Sequence, residues 1–268
     1  MRRRSSRRVF LKQASVAAAA ALLTPTKCLR AASDAVGNTP ARMAIIIDDV
    51  GYNRSKARAF LQLGVPLTFS VLPKVPYSGE LAEDIHRAGH EIMLHQPMQP
   101  HSSAVDPGPG ALYVQHTRVD MESIIQQNLD ELPFACGVNN HMGSLFTESR
   151  PRVLDMLNIF RQRSFFFVDS FTSSNSVAFS TARELNMVTA FRNVFIDNEL
   201  EAEYIYRQLL IAKQRALRTG SVVVIGHPRS ETVQVLDGFL KEIQNSNIEL
   251  VYASAVAHER TNRAADLS

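Results

Sequence analysis

Short apolar runs alternate along the chain with longer segments in which apolar residues recur every three or four positions. Short apolar runs that end at a turn signal are typical of buried strands, and the wider spacing is typical of amphipathic helices. The predicted strands are residues 44–47, 67–72, 91–94, 136–139, 165–168, 188–191, 222–225 and 249–252. The predicted helices are residues 55–63, 78–88, 121–132, 151–163, 180–185, 200–217 and 232–244.

Repeated alternation of strand and helix predicts an α/β protein with a mainly parallel sheet and helices outside it. Seven or eight strand-helix units within about 230 residues favour a distorted (β/α) barrel over an open sheet. Residues 96–117 are too rich in proline and glycine for a regular element. We therefore expect them to form a loop over the mouth of the barrel.

The first 35 residues differ in composition from the rest of the chain. A basic segment precedes an alanine-rich apolar segment, and small residues follow it, which is the pattern of an export signal. Residues 6–12, "SRRVFLK", are similar to the signal read by the twin-arginine translocase, with an ordinary secretory signal as the alternative. We expect export to the periplasm or beyond the cell. The predicted parts are a signal peptide at 1–35, a linker at 36–42, a folded domain at 43–257 and a C-terminal tail at 258–268.

Removing the leader reverses the net charge. The leader holds eight of the 29 Lys and Arg residues and one of the 26 acids, so the mature chain keeps 21 basic and 25 acidic residues. A net charge of about −4 gives no support for nucleic-acid binding. Cys136 is the single cysteine of the mature chain, which excludes an internal disulfide. No later apolar span approaches the ~20 residues that cross a bilayer, so we expect no transmembrane segment in the mature chain.

Polar residues with useful chemistry follow several predicted strands at the point where each strand ends. Because the carboxyl ends of parallel barrel strands meet at one mouth, these side chains are expected to lie close together. Taken singly, each has an ordinary explanation, such as an aspartate that caps a helix. The residues in question are Asp48 and Asp49, His95, the "NNHMGS" stretch at 139–144, Asp169 and Ser170, Arg192, and His227.

Two histidines and one carboxylate form a three-ligand site for a divalent metal that leaves a position open for water, and zinc is the metal that this donor set favours. A metal lowers the pKa of its bound water, and a neighbouring carboxylate can accept the proton. The adjacency of Asp48 and Asp49 then has an explanation: one binds metal and the other is the base. Spacing alone leaves open which residue has which role.

The stretches "AIIIDDVGYN" (44–53) and "GHEIMLH" (89–95) resemble motifs of the NodB-type polysaccharide deacetylases. The stretches "HQPMQP", "GVNNHMGS", "FFVDS" and "IGHP" more closely resemble the divergent polysaccharide deacetylase group of that superfamily. The resemblance spans roughly residues 42–256. It implies a distorted (β/α) barrel and metal-dependent removal of N- or O-acetyl groups from a sugar polymer.

The resemblance also implies roles for individual residues. Asp48 matches the catalytic base, and Asp49 and His95 match metal ligands. His227 matches the general acid that protonates the leaving group, and Asp169 falls where the family orients that acid.

Two positions depart from the main family. Gln99 stands where a second metal-binding histidine is expected, so His141 is the candidate third ligand and His101 is the alternative. The usual arginine motif is missing, and Arg192 is the candidate to replace it in catalysis. The residues expected to contact substrate are Asn139, Asn140, Ser144 and Ser170.

These observations favour an exported, metal-dependent carbohydrate deacetylase or esterase that acts on a polysaccharide or peptidoglycan-like glycan of the envelope. The rival hypothesis is a catalytically silent envelope protein that keeps the fold and binds glycan or a protein partner. A glycosidase or a peptidase is less well supported, since the chain has no helix-borne His-Glu-x-x-His and no suitably separated carboxylate pair.

Overall fold

The computed structural model describes residues 39–265, with side chains through Asn262. Nine strands lie in this part of the chain: β1 (Ala41–Val50), β2 (Thr68–Val71), β3 (Glu91–Met98), β4 (Gly137–Met142), β5 (Phe166–Asp169), β6 (Thr189–Phe191), β7 (Val194–Phe195), β8 (Ser221–Gly226) and β9 (Ile248–Val251). The helices in the same residues are α1 (Arg54–Leu61), α2 (Ser78–Arg87), α3 (Arg118–Glu131), α4 (Arg150–Arg161), α5 (Ala178–Glu184), α6 (Ala202–Thr219), α7 (Ser230–Ile243) and α8 (Ala253–Ala265).

The strands form one parallel sheet in the order β6-β5-β4-β3-β2-β1-β8-β7. The ninth strand, β9, pairs with residues 41–44 of β1, while β2 pairs with the later part of β1. β8 pairs with residues 42–47 along one edge of β1. β9 and β2 must therefore share the other edge of β1. β1 is therefore the central strand of the fold.

The two ends of the sheet are joined by one bent segment. β6 pairs with β5, β7 pairs with β8, and only residues 192 and 193 separate β6 from β7. The sheet thus curls into a distorted barrel, and the predicted fold class is confirmed.

The continuous apolar character of β1 follows from burial of both its faces. Met43, Ile45 and Ile47 pack in the large core between sheet and helices, whereas Ala44 and Ile46 pack in a second cluster. The second cluster also contains residues of α8. At the start of α8, backbone N–H groups bond to side chains of Thr68 and Glu91, at the amino ends of β2 and β3. α8 therefore covers the end of the barrel opposite to the mouth.

All eight predicted strands and all seven predicted helices are present, with bounds shifted by a few residues. β3 continues to Met98, so the first residues of the predicted 96–117 loop belong to a strand. The sequence pattern did not predict β7 or α8, and α8 includes the first residues of the predicted tail. β1 begins at Ala41, within the predicted linker. The predicted signal peptide lies outside the described residues, and within residues 39–265 no helix has the length and apolar character needed to cross a membrane.

Candidate active site

Asp48 and Asp49 lie at the carboxyl end of the central strand and both line one cavity of about 380 Å³. Neighbouring residues of a regular strand point to opposite faces. Here the pairing of β1 with β2 is irregular between Ile47 and Val50, and Asp49 has a left-handed backbone with φ of +56°. This local turn brings the second carboxylate into the same cavity as the first.

Three potential metal-ligating atoms converge in this cavity. The Oδ1 atom of Asp49 lies 2.9 Å from Nδ1 of His141 and 3.1 Å from Nε2 of His95. The two ring nitrogens are 3.2 Å apart. Oδ1 of Asp49 is buried and has no hydrogen bond of acceptable geometry within the described chain. A buried carboxylate oxygen beside two imidazole nitrogens is the donor set of a divalent metal site, so these residues fit the predicted ion.

Asn139 connects His95, a candidate metal ligand, to Asp48. Its Nδ2 donates to Oδ1 of Asp48 at 2.8 Å, and its Oδ1 lies 2.7 Å from Nδ1 of His95. The same Oδ1 accepts from the hydroxyl of Ser70. Because that oxygen can only accept, Nδ1 of His95 must carry the proton. The Nε2 lone pair of His95 is then free to bind a metal.

The charges of the site favour a bound cation. Burial alone raises the pKa of Asp49, but the adjacent rings of His141 and His95 outweigh burial and lower that pKa well below its usual range. Burial alone lowers the pKa of His95, yet the negative charges of Asp48 and Asp49 raise it to about 9. In the absence of a metal, a proton on His95 supplies the positive charge between the two carboxylates. A metal ion that binds here displaces that proton.

Asp48 differs from Asp49 because burial outweighs the opposing effects on the pKa of its carboxyl group. Its side chain is 3% exposed, and burial raises the pKa of its carboxyl group although His95, His227 and Asn139 act in the opposite direction. A carboxylate with a raised pKa is a stronger base than one in water.

His227 lines the same cavity beside the three-atom cluster, with Nε2 3.6 Å from Oδ2 of Asp49. Its Nδ1 lies 2.9 Å from Oδ1 of Asp197, and its backbone N–H donates to Oδ2 of the same residue at 2.7 Å. The hydroxyl of Thr232 also donates to Asp197, which is 1% exposed. Burial by itself lowers the pKa of His227, but the hydrogen bond and charge of Asp197 raise it.

The sequence had assigned Asp169 to the role of orienting His227, and the structure places Asp197 there instead. Asp169 is buried and accepts hydrogen bonds from the backbone N–H groups of Phe171 and Phe179 and from the hydroxyl of Ser176. It therefore shapes the loop after β5. Asp197 was missed, although it follows the apolar stretch "VFI" at 194–196, which begins with β7, just as Asp48 follows the apolar run of β1.

Arg192 lines the same cavity but forms no hydrogen bond with Asp48 or Asp49 within the described residues. Its Nε donates to the carbonyl of Ser170 at 2.6 Å, and its Nη2 donates to the carbonyl of Phe171 at 2.8 Å. Burial lowers the pKa of Arg192, and the charges of Asp48 and Asp169 act against this effect.

The four predicted substrate contacts occupy different positions. Asn140 and Ser170 line the cavity. Asn139 is fully buried beneath His95 and does not line it, so its geometry suits a positioning role. Ser144 also lies outside the cavity lining, where its hydroxyl accepts from a backbone N–H in the loop above the barrel.

The structure separates the two candidates for the third metal ligand. The side chain of His101 is 56% exposed and its Nε2 lies 3.1 Å from Glu148, away from Asp49. Gln99, which stands at the position expected for a histidine, accepts from the backbone of Val114 and holds the loop. His141 is therefore the histidine that the fold places beside Asp49 and His95.

Comparisons with known proteins show the family of this chain. The model of a family described as divergent polysaccharide deacetylase matches residues 45–257. The uncharacterized protein YibQ of Escherichia coli K12 is 32% identical over 218 residues, which are 81% of this chain and 68% of YibQ.

Solved structures share the fold. The uncharacterized protein ATU2773 of Agrobacterium tumefaciens C58 has a TM-score of 0.77 at 22% identity, over 82% of this chain and 90% of that one. A mutant of BA3943 from Bacillus anthracis, a CE4 family pseudoenzyme with restored enzymatic activity, has a TM-score of 0.50 at 14% identity, over 82% and 68% of the two chains. At these identities the likeness concerns the fold alone.

Proposed function

This chain belongs to the divergent polysaccharide deacetylase family, and we propose that it is a metal-dependent hydrolase that removes acetyl groups from a glycan of the cell envelope. The observation that carries the proposal is the arrangement of one cavity. Asp49, His95 and His141 converge on one point, and Asp48 and His227 line the same space. A site that only bound sugar would need neither a buried base nor an oriented histidine beside three side chains that can hold a metal ion.

The proposed metal is zinc, which suits two imidazole nitrogens and one carboxylate oxygen. Such an ion supplies a Lewis acid for the acyl oxygen and makes a coordinated water more acidic. Asp49 keeps its negative charge for this purpose, since its pKa is lowered. His95 would hold the ion through Nε2, because its Nδ1 donates to the side-chain oxygen of Asn139.

Asp48 is the proposed general base. It is buried, its pKa is raised, and the amide of Asn139 fixes one of its oxygens at 2.8 Å. The other oxygen lies 3.7 Å from Nε2 of His95, so it faces the point where the ligating atoms converge. From that position Asp48 can accept a proton from a nucleophilic water, a step typically worth about 10²–10⁴-fold in rate.

His227 is the proposed general acid. Asp197 holds its Nδ1 and raises its pKa, which favours the protonated ring. Its Nε2 lies 3.6 Å from Oδ2 of Asp49 in the same cavity and is the atom that would give a proton to the leaving amine or alcohol. Hydrolysis of an amide or ester requires a base for the attacking water and an acid for the leaving group, and this cavity offers a candidate for each.

Export is part of the proposal and rests on the leader sequence. The twin arginines Arg7 and Arg8, followed by "VFLK", favour translocation of the folded protein. A glycan of the envelope would then be the polymer that the enzyme meets.

The test compares zinc content and acetate release for the wild type and two variants. Asp48→Asn should keep zinc and lose about 10²–10⁴-fold in kcat, with a smaller effect on KM. Asp49→Asn should lower zinc affinity, and excess zinc should restore part of its activity. Asp237→Asn, an exposed aspartate of α7, is the matched control and should behave as the wild type.

The two aspartate roles must be exchanged if Asp48→Asn loses zinc while Asp49→Asn keeps it. If the wild type binds zinc and glycan but releases no acetate from peptidoglycan or chitin fragments, the catalytically silent protein becomes the better hypothesis.

A further inference from the structure

Arg192 is a half-buried cation in the wall of the active-site cavity. Two of its five N–H groups donate to the carbonyls of Ser170 and Phe171, which fixes the plane of the guanidinium. Within the part of the chain that the structure describes, it forms no ion pair, so three N–H groups remain for another acceptor. A guanidinium that is held rigid and only partly satisfied is suited to bind an anion.

A second unsatisfied group lies next to it. The hydroxyl of Ser170 is buried and has no hydrogen-bond partner among residues 39–265, and Ser170 lines the cavity. Nε of Arg192 donates to the backbone carbonyl of Ser170 at 2.6 Å, and both residues line the same cavity. Buried polar groups in proteins are nearly always paired, so an unpaired hydroxyl in a cavity wall indicates a ligand or a bound water.

The two carboxylates of the cavity do not compete for this cation. Asp49 faces His141 and His95 at 2.9 and 3.1 Å. Oδ1 of Asp48 accepts a hydrogen bond from the side-chain amide of Asn139. The charges of Asp48 and Asp169 act on Arg192 without a hydrogen bond or ion pair among the described residues, so its free N–H groups remain available to a group that enters from outside.

We propose that Arg192 and Ser170 form a subsite that recognises a carboxylate on the substrate, so that the acetylated sugar is an acidic one. This inference rests on the proposed function, because it concerns the substrate of the same cavity. The guanidinium would bind the carboxylate through its free N–H groups, and the Ser170 hydroxyl would donate to it. The subsite assigns Arg192 to recognition rather than to proton transfer.

The test measures binding by calorimetry with zinc-loaded protein that carries Asp48→Asn, so that substrate is not consumed. The probes are the disaccharide of N-acetylglucosamine and N-acetylmuramic acid and the same disaccharide with its carboxylate converted to a primary amide. The carboxylate form should bind at least about tenfold more tightly, since hydrogen bonds between charged groups are the stronger kind.

Adding Arg192→Gln should abolish this difference. Arg163→Gln is the matched control, because Arg163 is also half-buried and donates to a backbone carbonyl, but outside the cavity. Ser170→Ala removes only the unpaired hydroxyl and leaves the carbonyl that holds Arg192. It should reduce the preference for the carboxylate without changing zinc affinity, even if Arg192→Gln disturbs the loop.

Equal binding of both probes to the parent protein would overturn the proposal. A preference that persists in both Arg192→Gln and Ser170→Ala would also overturn it, because the carboxylate would then be bound by zinc or another group. Failure of the proposed function is a separate result: the wild type would prefer the carboxylate probe but release no acetate from it.

Discussion

Replacing Asn139 by alanine tests whether the site depends on a buried amide that supplies no ligand to the proposed metal. Asn139 is fully buried, and its side chain bonds to Asp48, His95 and Ser70. Alanine cannot make any of these bonds. The ring of His95 would lose the acceptor that fixes its tautomer, and Asp48 would lose the donor that orients it.

The magnitude of both effects follows from the contacts. A buried polar group left without a partner costs about 1–3 kcal/mol, and three groups are affected. Water entering the vacated space recovers part of that cost. We therefore expect the free energy of unfolding to fall by about 3 kcal/mol. Residues that orient a metal-binding histidine typically contribute about 10–100-fold to metal affinity, and zinc binding by Asn139→Ala should weaken by that factor.

The assay is a zinc titration combined with denaturant unfolding of the metal-free proteins. Asn140→Ala is the matched control, since Asn140 is the next residue and bonds to Ser170, Met142 and Thr172 rather than to the cluster. It should lose stability but keep zinc affinity close to the wild-type value. Wild-type zinc affinity in Asn139→Ala would refute the argument that the amide selects the tautomer of His95.

Three further predictions test other parts of the site and the leader. His141→Ala should lose most zinc binding because one ligand of three is removed, whereas His101→Ala should bind zinc normally; the opposite result in a zinc titration would make His101 the ligand. Asp197→Asn should lower kcat by about 10²-fold with zinc content unchanged, since the general acid loses the carboxylate that orients it; unchanged turnover would exclude that role. Replacing Arg7 and Arg8 by lysine should block export of a reporter fusion, and normal export in a strain that lacks the twin-arginine translocase would rule out this route.

The fold could be predicted because its central features are local. The run at 44–47 is continuously apolar since both faces of β1 are buried, and that pattern is visible in one short segment. Parallel strands then bring their carboxyl ends together, so residues far apart in sequence could be expected in one cavity. Asp49, His95 and His141 come together for this reason.

The carboxylate that orients His227 could not be predicted in the same way. Asp169 and Asp197 both follow apolar strands, and only the order of strands in the sheet decides which of the two lies near His227. β7 pairs with β8, at whose end His227 lies, whereas β5 pairs with β6. Since β7 is two residues long, its apolar pattern is too short to mark it as a strand. The sequence therefore indicated a carboxylate partner but not which residue.

The different roles of Asp48 and Asp49 depend on backbone geometry that no hydrophobic pattern reports. In a regular strand one of the two would point away from the cavity. The irregular register after Ile47 and the left-handed conformation of Asp49 bring both into it, at a backbone cost of about 1–2 kcal/mol. Their surroundings then separate them. Asp48 is buried and accepts a hydrogen bond from the amide of Asn139, which suits the role of a general base. Asp49 lies beside two imidazole rings, which suits the role of a metal ligand. A strained residue that persists at the centre of a cavity indicates that its position matters more than the stability it costs.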